Sequence, residues 1–263
     1  MTTALRFAGT EAPAPHREAF HGVRQILRFN WPYYAVGAVA VVVAPLAVAV
    51  LPAPAPAETL VYLGSALIGL WLIGSIAASW LVYDRSELMT GSWIPAALDR
   101  LPRTWVAVHA GLDEFTPVLE RRLDSRGRAF DIFDAVEMTE PSIARARTSS
   151  SPTGSEAVDF RRLPVARASV DAAFLLLSAH ELRTHDSRVA LFSEIARILV
   201  PGGQAVVAEH LRDPANLAAY GPGALHFHSR RTWKRTFTAA GLFVSSERSI
   251  TPFVRVFILR RSS

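Results

Sequence analysis

The segment Glu194–His210, EIARILVPGGQAVVAEH, constrains the fold more than any other stretch of the chain. Val189, Phe192, Ile195 and Leu199 recur at helical spacing and predict an amphipathic helix over 187–199, with Ser187 as its N-cap. Pro201 cannot continue that helix, and Gly202 and Gly203 supply the positive φ of a sharp turn. Gln204–His210 then reads as a buried strand ending in Glu209 and His210. Upstream, Val170–Leu177 is a second apolar strand, and it runs into Ser178-Ala179-His180-Glu181. Two largely apolar strands linked through an amphipathic helix imply a parallel sheet covered by helices.

The alternation extends over the chain from Arg103 onward. Strands are predicted at 105–110, 128–133, 157–160, 170–177, 204–210, 242–247 and 253–259, and helices near 114–123, 140–147, 187–199 and 232–240. Residues 148–156, TSSSPTGSE, read as a loop. The last two strands are joined by a short link, Ser-Ile-Thr-Pro preceded by Arg248, which is too short for a parallel crossover and demands an antiparallel hairpin.

Leu163-Pro164-Val165 through Ser169-Val170-Asp171, followed by Glu194-Ile195-Ala196-Arg197-Ile198-Leu199-Val200-Pro201-Gly202-Gly203, resembles the LPF…SFD and E-x-x-R-x-L-x-P-G-G segments of class I S-adenosylmethionine-dependent methyltransferases of the type 11-like kind. The resemblance covers roughly residues 105–260. It implies an α/β, Rossmann-like seven-stranded sheet with an antiparallel C-terminal hairpin, and S-adenosyl-L-methionine as cofactor. The stretch around residues 210–230 is also similar to membrane-tethered bacterial methyltransferase-like proteins.

A second feature lies upstream. Residues 33–51 and 60–82 are two apolar runs without a charged residue. At about 1.5 Å per residue each helix matches the ~30 Å hydrocarbon core. Trp31, Tyr33 and Tyr34 mark one interface, and Trp80 and Tyr83 the matching end of the second run. Pro45 is the expected kink of the first helix, and Ser65, Gly69, Gly74 and Ala78 are the small residues expected to let the helices approach. The connector 52–58 has no Lys or Arg, whereas Arg6, Arg17, Arg24 and Arg28 precede the hairpin and Arg85, Arg100 and Arg103 follow it. The positive-inside rule then gives a two-pass protein of the cell (inner) membrane, with its N-terminus and catalytic domain in the cytoplasm. The organisation expected is a tail over 1–32, with 1–19 disordered, a transmembrane hairpin over 33–82, a juxtamembrane linker over 83–103 and a methyltransferase-like domain over 104–263. In the linker, Trp93 and Ile94 are expected at the headgroup layer.

Composition narrows the chemistry. The chain of 263 residues has no cysteine, which excludes disulfides, thiolate metal sites and a cysteine nucleophile. Its net charge of +5 is spread without aromatic interleaving, so no nucleic-acid groove is indicated.

In a doubly wound sheet, ligands bind beyond the carboxyl ends of the strands. The first strand ends in Val108-His109-Ala110-Gly111-Leu112-Asp113-Glu114, where the family has an acidic residue and G-x-G-x-G. Here His109 stands near the acidic position and Gly111 alone remains of the glycines. Asp113 and Glu114 disfavour a dinucleotide pyrophosphate at that helix start but suit the ammonium and sulfonium of S-adenosylmethionine. Asp131, with Asp134 as the alternative, has the spacing of a ribose-binding carboxylate. The resemblance places Asp159 at the adenine amino group, and Ser178 joins the cofactor-binding candidates.

His180 and His210, at the ends of the fourth and fifth strands, are the candidate catalytic bases, with Glu181 and Glu209 as carboxylate partners. Tyr220, His226 and His228 join Glu181 and Glu209 as candidate substrate-binding residues. His226-Phe227-His228 in a strand would point both rings to one face, but no metal site is assigned. The expectation is a membrane-anchored methyltransferase acting on a small or lipid-like acceptor. The competing expectations are a non-catalytic binding or scaffold protein of the same fold and, disfavoured by the acidic loop, an NAD-dependent enzyme.

Overall fold

The computed structural model describes residues 19–51, 53–149 and 154–262. Most of the expected tail, with Arg6 and Arg17, Pro52 of the connector and residues 150–153 of the expected loop lie outside the described residues.

Two long helices come first: α1 (His21–Val50) and α2 (Ala55–Trp80). Both are long and apolar enough to cross a membrane. Helix α1 begins well before Tyr33. Its backbone breaks at Asn30, just before Pro32, and not at Pro45. Pro32 has no N–H to donate and its ring crowds the preceding turn, while Asn30 Nδ2 donates to the Ile26 carbonyl. Close approach of the helices falls at Gly37, where a Cβ would stand 3.0 Å from Leu72, whereas Gly74 faces open space. Tyr34 and Ser75 hydroxyls meet at 2.9 Å across the hairpin.

The 83–103 segment is built into the domain. A π-helical turn (Leu81–Arg85) leads into α3 (Glu87–Thr90) and α4 (Ile94–Ala97). Trp93 and Ile94 are buried at 3% and 0% exposure, so they pack into the core rather than rest on headgroups. Burying a large aromatic in a core recovers more apolar area than an interface can.

The sheet has seven strands: β1 (Trp105–His109), β2 (Arg128–Asp131), β3 (Ser155–Ala157), β4 (Val170–Leu176), β5 (Leu199–His210), β6 (Leu242–Thr251) and β7 (Val254–Arg261). Their order is β3-β2-β1-β4-β5-β7-β6, parallel except for β7, which runs antiparallel to both neighbours. The helices are α5 (Thr116–Leu123), α6 (Pro141–Ser149), α7 (His185–Ile198), α8 (Pro214–Tyr220) and α9 (Arg230–Ala239). Along β1, Val106 and Val108 point into one core with Phe192, Ile195, Trp233 and Phe237, while Trp105 and Ala107 point into the other with Ile94 and Leu119.

Three local expectations shift. The cap of α7 is Thr184, whose hydroxyl accepts from Ser187 N. Pro201–Gly203 does not end α7, because Leu199 already pairs with Val170. Instead it forms an irregularity inside β5, with Gly202 at φ +80°, before Gln204 pairs with Ala172. The third strand lies two residues earlier than expected, at Ser155–Ala157.

Candidate active site

The strand order reverses between β1 and β4, and a crevice opens beyond their carboxyl ends. A cavity of about 630 Å³ lies there. The loop after β1 contributes Ala110, Leu112 and Glu114, the end of β4 contributes Leu177, Ser178, His180 and Glu181, and β5 contributes His210. Helix α6 supplies another wall, and Tyr33, Tyr34, Trp71 and Ser75 of the helical hairpin close the far side.

His180 is the electrostatic centre of the floor. Its Nδ1 lies 2.6 Å from Glu209 Oε2 and its Nε2 3.4 Å from Glu181 Oε1. Glu209 is wholly buried, and its Oε1 also accepts from the backbone N–H groups of Ala179 and His180. Burial alone would lower the His180 pKa, but the Glu209 charge and then Glu181 overcome it and raise the value to about 10. His180 is therefore an imidazolium at neutral pH, clamped between the two carboxylates expected to partner it.

His210 is the opposite case. Its Nδ1 is 2.9 Å from the Phe253 carbonyl, which can only accept, so Nδ1 carries the proton. Nε2 is then the acceptor for the Tyr83 hydroxyl at 2.8 Å. Burial, followed by the nearby His180 charge, lowers its pKa to about 3. Glu209 does not reach His210; both carboxylates serve His180. Tyr220 meets the His210 ring edge-on at 5.6 Å, and Phe227 stacks on it at 4.9 Å.

His226 and His228 part company. His226 ends a 3₁₀ turn (Gly221–His226), lines the cavity and lies 5.8 Å from the His180 ring. His228 turns away, its Nε2 3.0 Å from Arg188 and 3.2 Å from the Leu182 carbonyl, beside Trp233. The extended strand assumed for the pair is a 3₁₀ turn here, so the rings do not share a face. Among the described residues no group of three His, Cys, Asp or Glu is placed to hold a metal.

A second cluster lies at the ends of β1 and β2, outside the residues that line the cavity. His109 and Asp131 are register partners at the ends of β1 and β2, and both are buried. His109 Nδ1 accepts from Gly111 N, which leaves Nε2 to donate to Ser155 Oγ at 2.8 Å. Asp131 Oδ1 accepts from Phe133 N, and Oδ2 accepts from Arg147 at 2.7 Å. The Arg147 guanidinium lies 4.0 Å from the Phe133 ring centre and stands directly over Gly111. Gly111 has φ +96°, and a Cβ there would run into Arg147 at 2.2 Å.

The remaining cofactor candidates scatter. Asp113 Oδ1 accepts from Thr116 N, the first residue of α5. Asp134 accepts from Val136 N and Glu137 N in a turn, and those bonds, the Val136 one foremost, hold its carboxyl below the usual range. Asp159 is exposed and accepts from Arg161 N, away from the cavity. Ser178 lines the cavity while donating to the Val108 carbonyl. Sequence reasoning passed over Tyr83, taken for an interface marker, and Arg147, which no motif singles out.

Residues 112–207 match the family model described as a methyltransferase domain. No curated protein matches the chain. Among solved structures, the PH0226 protein from Pyrococcus horikoshii is 11% identical with a TM-score of 0.50, over 67% of this chain and 89% of that one. A SAM-dependent methyltransferase from Aquifex aeolicus is 16% identical with a TM-score of 0.49, over 67% and 93%. Residues 112–207 thus match the methyltransferase-domain family model, and the seven-stranded sheet to which they contribute has the class I S-adenosylmethionine-dependent methyltransferase fold.

Proposed function

We propose that the chain is a membrane-anchored S-adenosylmethionine-dependent methyltransferase whose acceptor is a small or lipid-like molecule. The observation that carries this reading is the shared cavity: strand ends of the methyltransferase sheet form one side of it, and Tyr33, Tyr34 and Trp71 of the two apolar helices form the other. An acceptor with an apolar body would reach the strand ends without leaving the hairpin. Arg24 and Arg28 precede the apolar part of α1, and Arg85, Arg100 and Arg103 follow α2, which supports a cytoplasmic domain on a two-pass anchor.

S-adenosylmethionine, when bound, supplies a methyl group already activated on a sulfonium, so the protein's task is alignment. In this reading Asp131 at the end of β2 takes its ribose and Gly111 beyond β1 lies along its methionine end. Arg147 stands between them. The fit requires Arg147 to turn outward, which its 32% exposed side chain at the end of a nine-residue helix allows. His180, held between Glu209 and Glu181, then fixes the Glu181 carboxylate at the acceptor end of the cleft, and neutral His210 orients the Tyr83 hydroxyl on the cavity wall. The position of Arg147 favours one alternative: a protein that keeps the fold at a membrane as a binding module, with its cofactor cleft closed by its own side chain.

The test is transfer of tritium from S-[methyl-³H]-adenosylmethionine in membranes containing the full chain. Label appearing in the organic-extractable fraction supports the reading, and its loss on Asp131→Ala ties it to this site. Absence of both transfer and cofactor binding in the folded chain favours the binding module.

A further inference from the structure

The cavity has a charge pattern that restricts what can enter it. Glu114, Glu140 and Glu181 line it, and Glu209 lies beneath its floor. Among the described residues Arg145 is the only arginine or lysine that lines it, and its guanidinium is turned to the Phe29 carbonyl. The other cation among the described lining residues, His180, is clamped between Glu209 and Glu181. His210 and His226 are held neutral by burial. Glu181 has one oxygen toward His180; the other is buried with no hydrogen-bond partner among the described residues. An unpaired buried carboxylate oxygen is costly unless a ligand donates to it.

From this arrangement we infer that the acceptor is an amphiphile whose head group is an uncharged or cationic hydrogen-bond donor (a hydroxyl or an amine) held by Glu181, and that phosphate and diphosphate heads are rejected. The inference rests on the amphipathic-acceptor reading above and narrows it. An anionic head would meet three lining carboxylates in a low-dielectric pocket with no disengaged cation to receive it, a juxtaposition that works against binding. The aromatic walls from Tyr33, Tyr34 and Trp71 suit the apolar body, and the polar end then falls at the strand ends, beside His180 and Glu181.

The test uses the full chain in neutral-lipid nanodiscs and three probes of equal tail length: decanol, decylamine and decyl phosphate. Thermal unfolding is followed as each is titrated to the same mole fraction of the bilayer, for the wild type and for Glu181→Gln. The inference predicts that decanol and decylamine stabilise the wild type at concentrations at least tenfold below decyl phosphate. It also predicts that Glu181→Gln erases most of the decylamine advantage. Decyl phosphate binding as tightly as the other two overturns the inference, as does an identical ranking in Glu181→Gln, which would trace the effect to the bilayer. Failure of decanol, the neutral probe, to bind at all overturns the amphipathic-acceptor reading itself.

Discussion

Arg147→Ala tests whether the cofactor cleft is held by an internal competitor. The guanidinium lies 2.7 Å from Asp131 Oδ2, with the two side chains 32% and 7% exposed. A hydrogen bond to a charged group contributes about 1.5–3 kcal/mol. Because Arg147 is about a third exposed and solvent-screened, the low end applies, at about 1–1.5 kcal/mol. A ribose that takes Asp131 must displace this contact. Deleting the guanidinium should therefore tighten S-adenosylmethionine about five- to tenfold, 1.4 kcal/mol being a factor of ten in Kd. The same change leaves Asp131 with Phe133 N alone, so the free protein should lose a comparable amount of stability. Calorimetric titration of the full chain in nanodiscs, paired with thermal unfolding, reads both quantities. A lowered melting temperature with unchanged or weaker cofactor affinity would refute the reasoning: the ion pair would exist without guarding the site.

Three further outcomes are expected. Asp131→Ala should weaken S-adenosylmethionine by about 1–3 kcal/mol in the same titration, since a charged acceptor is lost; equal affinity would remove Asp131 from the site. Tyr83→Phe leaves His210 Nε2 without its donor and should cost about 1–3 kcal/mol of stability, read as a lower unfolding midpoint. The His180 clamp has a pH signature. Its folded-state pKa of about 10 exceeds the ordinary 6.5, so its stabilisation is complete below about pH 6.5, declines as pH rises, and is gone above about 10. His180→Asn should flatten the unfolding midpoint between pH 7 and 10; an unaltered slope would assign the alkaline loss elsewhere.

The fold was legible where burial writes itself into residue type. Residues 172–176 of β4 and 205–208 of β5 are uninterrupted apolar runs because helices cover both faces of the sheet, and the few residues between the last two predicted strands left the C-terminal hairpin no other geometry. Strand β6 in fact runs on to Thr251 and pairs it with Val254. The pairing of His180 with Glu181 and Glu209 was also within reach, since both strand ends had to open on the same edge. Other features depend on tertiary contacts that leave no periodic trace. Thr184 and Ser187 are equally good caps by type, and only the helix start distinguishes them. Tyr83 has the chemistry of an interface residue, but the π-helical turn after α2 swings it onto His210. Arg147 is one arginine among many, and its seat over Gly111 follows from where α6 packs against α1, through Arg145 and the Phe29 carbonyl. Asp159 shows the converse: a motif position can match in sequence while its side chain faces solvent beside Arg161.

The most direct test of cofactor use is a titration of S-adenosylmethionine, then NADH, into the folded full chain in nanodiscs. Micromolar binding of S-adenosylmethionine with no response to NADH is the predicted result. A chain that unfolds cooperatively, and is therefore folded, yet binds neither would contradict methyl transfer as its function and leave a methyltransferase-shaped membrane protein.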